Sequence, residues 1–435
     1  MELAVKDTTN LAKLNLGVVA SAIFLVALGS LGSRGAEMAA QTFAADLRPG
    51  YAGDATCASC HVKESSSYAH TAHRKASQPV DARSILGNFN EGENLLKIVD
   101  QDPHRATDSG LPMLSFSMER KGDEFFETAL TGWGSDLHRR SESIAVVTGS
   151  GVRGQTYLYW QGDRLFELPV SYWREGRRWI NSPGYIDGTV DFARPVTPGC
   201  LECHASYIKA TSAEATTNSY VKDSLVTGIG CETCHGPGAE HAAKYAVKHQ
   251  GETQSGSEQS KFTSGTAILN PAKFSRDRQI DSCAVCHNGT ARTALQPAYT
   301  FVPGRPLSEF FAPLQGQQTA EHPDVHGNQV GLLERSKCFQ NSVSLSCSTC
   351  HEVHAPEKVP ASYSDKCLSC HSWQSCGISK TRGIAIKKNC IDCHMPVEST
   401  NLIVSETAGS TVRARMRNHW IKVYPAPHSP RGAGL

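Results

Sequence analysis

The sequence is short of apolar and aromatic residues and has no run of basic residues. Hydrophobic residues make up 39% and aromatic residues 7% of its 435 positions. These fractions are low for a chain that is long enough to form two or three domains. A core so poor in apolar side chains is adequate if large apolar cofactors fill it. The formal net charge of +1 comes without a basic cluster, so a nucleic-acid partner is not expected.

Cysteine, in contrast, is abundant, with sixteen residues, of which fourteen fall in seven C-x-x-C-H units. One such unit would also suit a redox dithiol or half of a zinc site. Seven copies, each followed at once by histidine, indicate covalent c-type haems instead, with two thioether bonds and one proximal imidazole for each. The units are Cys57/Cys60/His61, Cys200/Cys203/His204, Cys231/Cys234/His235, Cys283/Cys286/His287, Cys347/Cys350/His351, Cys367/Cys370/His371 and Cys390/Cys393/His394.

Seven haems would change the charge of the molecule. Their propionates would take the formal charge of +1 to about −13 when all are ionised, which favours redox partners with positively charged surfaces.

Residues 14–33 carry no charge and form an apolar run between lysines and Arg34. The run is short for a transmembrane helix and long for the core of a signal peptide. We favour an uncleaved signal-anchor (residues 1–35) that holds the protein at the periplasmic side of the cytoplasmic membrane. With a cleaved signal the protein would be secreted or periplasmic. Either outcome exports the chain, which suits haem attachment and disulfides.

The first haem-binding segment, residues 50–85, continues after His61 into a stretch without Gly or Pro at residues 68–76. This stretch predicts a helix that carries His70 and His73 away from the motif. At least one of the two is a candidate distal haem ligand, and the alternative is an ordinary surface residue.

Residues 86–198 contain no cysteine and have a different pattern. Aromatic and β-branched alternation around Gly122-Asp123 and around Gly162-Asp163 predicts two β-hairpins. We interpret this β-rich insertion as a small antiparallel sheet covering the haem core, with a substrate or partner platform as the alternative. His104 and His138 lie in it and could also reach a haem.

Residues 199–424 hold six of the seven motifs. At this density we predict short helices and coil wrapped around packed haems. Residues 250–265 read as a surface loop, and Asn270-Pro271 predicts the start of a helix toward Cys283. The tail, residues 425–435, is rich in Pro and Gly and is predicted to be flexible.

Sequence spacing limits which histidine can serve which haem. His354 follows His351 by three residues, and three extended residues span roughly 10 Å. This is too short to pass around a haem rim, so His354 would have to bind the iron of a neighbouring haem. His241 follows His235 by six residues, and the same conclusion holds less strictly there.

Two cysteines, Cys338 and Cys376, lie outside the motifs. In an oxidising compartment they could form a disulfide around the fifth and sixth motifs, which we favour over two unpaired thiols.

Local motifs resemble those of multihaem cytochromes c, including the nitrifier tetrahaem cytochrome that accepts electrons from hydroxylamine oxidoreductase. The matches are Cys-Ala-Ser-Cys-His with Tyr68-x-x-Thr71-x-His73-x-x-Ala76, then Cys-x-x-Cys-His-Gly-Pro-Gly-x-x-His at Cys231, and Cys-Ser-Thr-Cys-His-Glu-Val-His with Cys-Ile-Asp-Cys-His-Met-Pro. The family has Trp and Ser where this chain has Tyr68 and Thr71. The resemblance implies a multihaem cytochrome c fold. The distal candidates it implies are His73, His241 and His354, then His419, with His322 and His326 also in the set.

The histidine count favours electron transfer. Eighteen histidines are enough to give most of the seven irons a second imidazole, which leaves no open coordination position. The alternative is a multihaem reductase or oxidase of small nitrogen or sulfur compounds with one open iron. Related enzymes often mark that iron with Lys in place of the motif His, and all seven motifs here end in His. Electron carriage is therefore the favoured interpretation, with catalysis left open.

Overall fold

The first half of the described chain consists mainly of strands, and the second half consists mainly of short helices. The fold is a computed structural model that describes residues 48–98, 114–132, 137–246, 268–289, 292–313 and 324–424. The chain divides after Pro49 into two compact units, and the elements below belong to the second, Gly50–Leu435. The predicted signal-anchor, His104, His322, the 250–265 loop and the tail lie outside the described residues. Within the described ranges no helix is long and apolar enough to cross a membrane.

The first ten strands form two antiparallel sheets. One sheet has the order β1-β6-β7-β9-β10, with β8 also paired to β7, and the other has the order β2-β3-β4-β5. The strands are β1 Ser77–Pro79, β2 Leu95–Ile98, β3 Leu114–Lys121, β4 Glu124–Thr131, β5 His138–Ser143, β6 Val146–Thr148, β7 Gly154–Gln161, β8 Arg164–Glu167, β9 Val170–Trp173 and β10 Arg178–Asn181.

The two hairpins predicted from the sequence are confirmed. Strands β3 and β4 pair from Lys121↔Glu124 outward, and β7 and β8 pair from Gln161↔Arg164. Gly122 and Gly162 occupy the turns with φ of 65° and 64°, a region that glycine enters without steric cost. The Gly-Asp turn signal therefore located both hairpins.

The apolar core lies between these two sheets. Phe116 and Met118 from β3 and Tyr157 from β7 have no exposed surface. They belong to one buried cluster, which Trp179 of β10 joins. The two sheets thus form a β-sandwich, and its inner faces follow the period-two pattern expected of strands.

The helices are short and most of them carry a haem motif. The predicted helix over residues 68–76 is wrong in extent: the helix ends at Tyr68, and His70 and His73 lie in the turns that follow it. Pro271 starts only a 3₁₀ turn, Pro271–Lys273, and the helix toward Cys283 begins at Arg276 after its cap Ser275. The helices are α1 Asp54–Ala58, α2 Val62–Tyr68, α3 Pro198–Leu201, α4 Cys231–His235, α5 Ala239–Ala246, α6 Arg276–His287, α7 Gln329–Glu334, α8 Lys337–Gln340, α9 Cys347–Cys350, α10 Pro360–Leu368, α11 Ser379–Arg382 and α12 Ile391–His394.

Two further strand pairs accompany the helices. Strands β11 (Ala205–Tyr207) and β12 (Val226–Thr227) form one pair, and β13 (Val397–Thr407) and β14 (Ser410–Arg417) form a long hairpin. His419, a distal candidate, lies just beyond the end of β14. Asn181 of β10 bonds to the hairpin through Thr407 and Glu406. The hairpin after the seventh motif therefore packs on the sandwich.

Candidate haem-binding core

Each C-x-x-C-H motif includes or adjoins a short helical turn. The backbone N–H groups of His61, His351 and His371 each donate to the carbonyl of the first cysteine of their own motif, at 2.9 Å. In such a turn, residues three apart lie on one face. The two thiols of a motif can therefore meet the same edge of a porphyrin while the histidine follows directly behind them.

All fourteen motif thiols are unpaired and partly or fully exposed. Free cysteine is ordinarily among the most buried residue types, so this exposure suits thiols that are bonded to a cofactor. Cys338 and Cys376 are also free thiols in this structure, and the disulfide between them stays a prediction.

The second cysteine of the first, third, sixth and seventh motifs is exposed to solvent. These residues are Cys60, Cys234, Cys370 and Cys393. Cys60 and Cys370 lie two residues beyond the ends of α1 and α10, and Cys393 is the last residue but one of α12.

The hydroxyl groups of Ser59 and Ser369 each lie 3.8 Å from the thiol of the cysteine that follows them, Cys60 and Cys370. Cys200, the first cysteine of the second motif, is exposed as well. The role of these thiols in haem attachment therefore rests on motif spacing and not on burial, and it stays a prediction.

Several motif histidines are oriented through their Nδ1 atoms. Nδ1 lies 2.8 Å from the Leu269 carbonyl oxygen in His235 and 2.9 Å from the Lys422 carbonyl oxygen in His394. In His287 it lies 3.1 Å from Oε1 of Gln329. A carbonyl oxygen can only accept, so Nδ1 carries the proton and Nε2 keeps its lone pair. This is the arrangement by which proteins orient histidines that bind metals.

Four motif histidines each face a histidine from outside the motifs. The ring centroids are 6.0 to 6.3 Å apart. An imidazole–metal bond is about 2 Å long and the ring centre lies roughly 1 Å beyond the nitrogen, so two imidazoles on one metal ion have centroids about 6 Å apart. The pairs are His61 with His241, His235 with His354, His351 with His419, and His287 with His73.

These pairs join distant parts of the chain. His354 lies beside His235 and not beside its neighbour His351, and His241 lies beside His61. His73, which follows the first motif, lies beside His287 of the fourth. Burial is the main factor that lowers the pKa of His419, to about 4, so its imidazole is neutral at neutral pH, the form that binds iron.

The other described histidines outside the motifs differ in burial. His326 is half-buried, and its Nδ1 has no hydrogen-bond partner in the described structure. Burial lowers its pKa, and the nearby imidazoles of His204 and His287 lower it further, against the opposing effect of Asp324. His70 and His138 are exposed. Among the described residues, no second imidazole lies at the 6 Å separation from His204, His371 or His394.

Buried carboxylates connect the first and third motifs. Glu232, inside the third motif, is 7% exposed and accepts from the backbone N–H groups of Ala52 and Gly53, both at 2.8 Å. Asp54 in turn accepts from the N–H of Cys231 at 2.8 Å. The thiol of Cys231 lies close enough to that of Cys57 to lower the Cys57 pKa. Two motifs 174 residues apart in sequence are thus held side by side.

Other motifs meet in the same way. The Cys203 and Cys286 thiols are in contact, as are those of Cys283 and Cys347. Ser346, beside the fifth motif, donates to Gln279 of α6 at 2.9 Å, and the N–H of Cys390 donates to Ser364 of α10 at 3.1 Å. Sequence reasoning did not identify these junction residues, because nothing in a sequence marks a polar residue as buried between two motifs.

Comparisons with known proteins find polyhaem cytochromes among the chains similar to this one. Residues 178–236, which include the second and third motifs, match a family model described as cytochrome c554 and c-prime. The C-type polyheme cytochrome OmcB of Geobacter sulfurreducens is 23% identical over 172 residues, covering 35% of this chain and 19% of OmcB. OmcC of the same organism is 21% identical over 280 residues, covering 53% of this chain and 32% of OmcC. The chain thus spans no more than about a third of the length of these curated relatives.

Among solved structures, the outer cell wall cytochrome OcwA matches with a TM-score of 0.50 at 14% identity. The match covers 86% of this chain and 80% of OcwA, and at this identity it speaks for the fold alone. The predicted link to the nitrifier tetrahaem cytochrome stays a prediction. With the motifs and paired histidines, these matches make the chain similar to multihaem c-type cytochromes over part of its length.

Proposed function

We propose that the chain is an exported seven-haem c-type cytochrome that transfers electrons through a chain of mainly bis-histidine haems. The observation that carries this proposal is the set of four imidazole pairs at 6.0 to 6.3 Å. Each pair contains one motif histidine and one histidine from another part of the chain. That combination would give one haem iron two imidazole ligands.

The residues fit the role of holding redox centres in fixed positions. When bound, a c-type haem supplies one-electron chemistry at its iron. The protein contributes two thiols for covalent attachment and two imidazoles that fill the axial positions. Hydrogen bonds such as the one from His235 to the Leu269 carbonyl hold the ligands in orientation. A centre with both axial positions filled exchanges electrons without binding a substrate.

The contacts between motifs support a continuous electron path. Thiol contacts place the first motif next to the third, the second next to the fourth, and the fourth next to the fifth. Cys367 of the sixth motif is in contact with Cys390 of the seventh and close to Cys350 of the fifth. Cys234 of the third motif is also close to Cys283 of the fourth, and it partly opposes the lowering of the Cys283 pKa by Cys347. In this order the fourth haem would have three neighbours, and the second would be a side branch.

Ligand replacement tests the paired histidines. His354→Ala should convert one of the seven irons from low spin to high spin, while mass spectrometry still finds every haem covalently attached. His138→Ala, at an exposed histidine of β5, is the matched control and should leave the spectrum unchanged. If His354→Ala also leaves every iron low spin, the proposed pairing with His235 is wrong.

The alternative function is a multihaem reductase or oxidase of small nitrogen or sulfur compounds with one open iron. The two functions make different predictions for three motif histidines, His204, His371 and His394. Within the described residues, no second imidazole lies about 6 Å from any of them. Low-temperature electron paramagnetic resonance of the oxidised protein with nitrite, hydroxylamine or cyanide separates the two. Electron transfer alone predicts low-spin signals that added ligand does not move. A high-spin signal that shifts on ligand addition would favour the enzyme.

Export and partner choice are part of the same proposal. Covalent haem attachment suits a compartment outside the cytoplasm, and residues 14–33 would direct the chain there, either as an inner-membrane anchor or as a cleaved signal. Redox protein partners with basic surfaces would associate faster at low salt, because the haem propionates make the molecule acidic. Association rates that do not change with ionic strength would rule out this steering.

A further inference from the structure

An arginine-rich cleft lies on the β-sandwich, formed by residues that take no part in the haem-binding core. Its volume is about 590 Å³, within the range of small-molecule sites. Four segments meet there: the loop between β1 and β2, the loop before β7, the turn between β9 and β10, and the hairpin β13–β14. The lining residues are Leu86, Val152, Arg153, Tyr172, Trp173, Arg174, Glu175, Arg177, Val397, Ala414 and Arg415.

The charge of this lining is strongly positive. Four arginines and one glutamate give it a formal charge of +3, on a chain whose total is only +1. Glu175 lies 4.0 Å from Arg415, and both side chains are about half exposed, so the pair neutralises little. Arg153 and Arg177 have no side-chain partner among the described residues. Guanidinium groups in this state are free to form paired hydrogen bonds with carboxylate or phosphate oxygens.

Local contacts position the backbone segments that carry these arginines. Arg174 donates from Nη1 to the carbonyl of Gly151 at 2.9 Å, which joins two walls of the cleft. Gly176 lies against the Trp173 ring, where an added Cβ would come within 2.3 Å of a ring carbon. Arg177 then has a φ of 49°, a conformation that disfavours residues other than glycine. An arginine at a position that glycine would occupy more easily is consistent with a function for its side chain.

We propose that this cleft binds a small organic anion with at least two carboxylate, phosphate or sulfonate groups. The free guanidinium groups of Arg153 and Arg177 bind its acidic groups, and Arg174 and Arg415 add positive charge at the rim. The apolar side chains of Leu86, Val152 and Val397 line the remaining surface. The site is independent of haem ligation and electron transfer.

The test uses isothermal titration calorimetry of citrate into the intact haem-loaded protein at low ionic strength. Wild-type protein should bind one citrate. Arg177→Gly should weaken binding about tenfold, because a hydrogen bond to a charged group contributes about that much. It should also leave thermal stability equal or higher, since glycine suits the positive φ. Adding Arg153→Gln should weaken binding about tenfold again, and 0.5 M salt should weaken it further.

Arg120→Gln is the matched control. It removes the same charge from a sandwich residue outside the cleft and should leave affinity within about twofold at equal ionic strength. The absence of citrate binding to the wild type would overturn the proposal. So would an Arg120→Gln variant that weakens binding as much as Arg177→Gly does. Because no outcome depends on the spin state or reduction of any iron, failure here is distinct from failure of the electron-transfer proposal.

Discussion

The β-sandwich and the motif-bearing segments are stabilised in different ways. In the sandwich, fifteen buried residues from both sheets form one apolar cluster. The buried cluster around α6, α7 and α8 has only five, and helices such as α1, α2 and α9 bury no residue at all. Isolated helices shorter than about 12 residues are marginal in water. The comparison indicates that the sandwich is stable through its own side chains, whereas the motif segments depend on haem for their core.

The largest expected effect comes from withholding haem. In protein made without haem attachment, amide hydrogen exchange in residues 231–246 and 268–289 should accelerate by roughly three orders of magnitude relative to the haem-loaded protein. Strands β3, β4 and β7 should stay protected, because their core contains no haem ligand. Exchange measured by mass spectrometry on both forms gives the comparison. Equal protection of the motif segments in both forms would show that they fold on their own side chains.

The next largest effect is expected from a substitution in the core of the β-sandwich. Phe116→Ala removes a fully buried ring of the sandwich core and should lower the free energy of unfolding by about 3–5 kcal/mol. The Soret absorption and spin state should not change, because Phe116 contacts no motif. Denaturant titration followed by tryptophan fluorescence and by haem absorbance separates the two regions.

Val343→Ala is the control, since Val343 is 92% exposed, and its cost should stay within about 0.5 kcal/mol. If Phe116→Ala lowered the midpoint of both signals equally, the two regions would unfold as one cooperative unit. That outcome would remove the distinction between them.

The two regions also differ in how much of them the sequence predicts. In the sandwich, alternating side chains and the turns at Gly122 and Gly162 identified two hairpins, since both signals are local. The C-x-x-C-H motifs could also be recognised from the sequence alone, because haem attachment needs cysteine and histidine at fixed spacing. Local patterns therefore predicted the two hairpins, and they indicate where haems would attach.

The pairing of the histidines could not be predicted from the sequence, because it depends on contacts between residues that are distant in the chain. His61 and His241 are 180 positions apart in the chain, and their approach follows from contacts such as Glu232 with Ala52. The helix predicted through His73 stops at Tyr68, where the chain turns so that His73 lies beside His287. The hairpin β13–β14 was missed because its turn, Ala408-Gly409, does not have the Gly-Asp pattern of the other two. Its Ala408 takes a φ of 49°, which composition does not predict.

The smallest expected effect concerns a single carboxyl group in the sandwich core. Glu127 is fully buried, accepts one hydrogen bond from the Val170 N–H at 3.0 Å, and its Oε2 has no partner in the described structure. Burial raises its pKa well above the ordinary value of 4.5, and repulsion from Glu167 adds to this. The folded state thus holds the proton more tightly than the unfolded state. The stability from this group is complete below pH 4.5 and is lost as pH rises through the folded pKa.

Glu127→Gln should therefore stabilise the sandwich at neutral to alkaline pH, because the amide is neutral at every pH and needs no proton on folding; the gain should be about 1.4 kcal/mol for each pH unit by which folding raises the pKa. The gain should vanish near pH 4, where the wild-type carboxyl is protonated in both states. Glu124→Gln, at an exposed position on the same strand, controls for loss of charge and should show no such pH dependence. Denaturant titrations of the three proteins at pH 4 and pH 8 measure the difference. A gain of equal size at both pH values would mean that Glu127 is not held protonated, and the sandwich would then contain a buried charge in a core that is otherwise held together by apolar side chains.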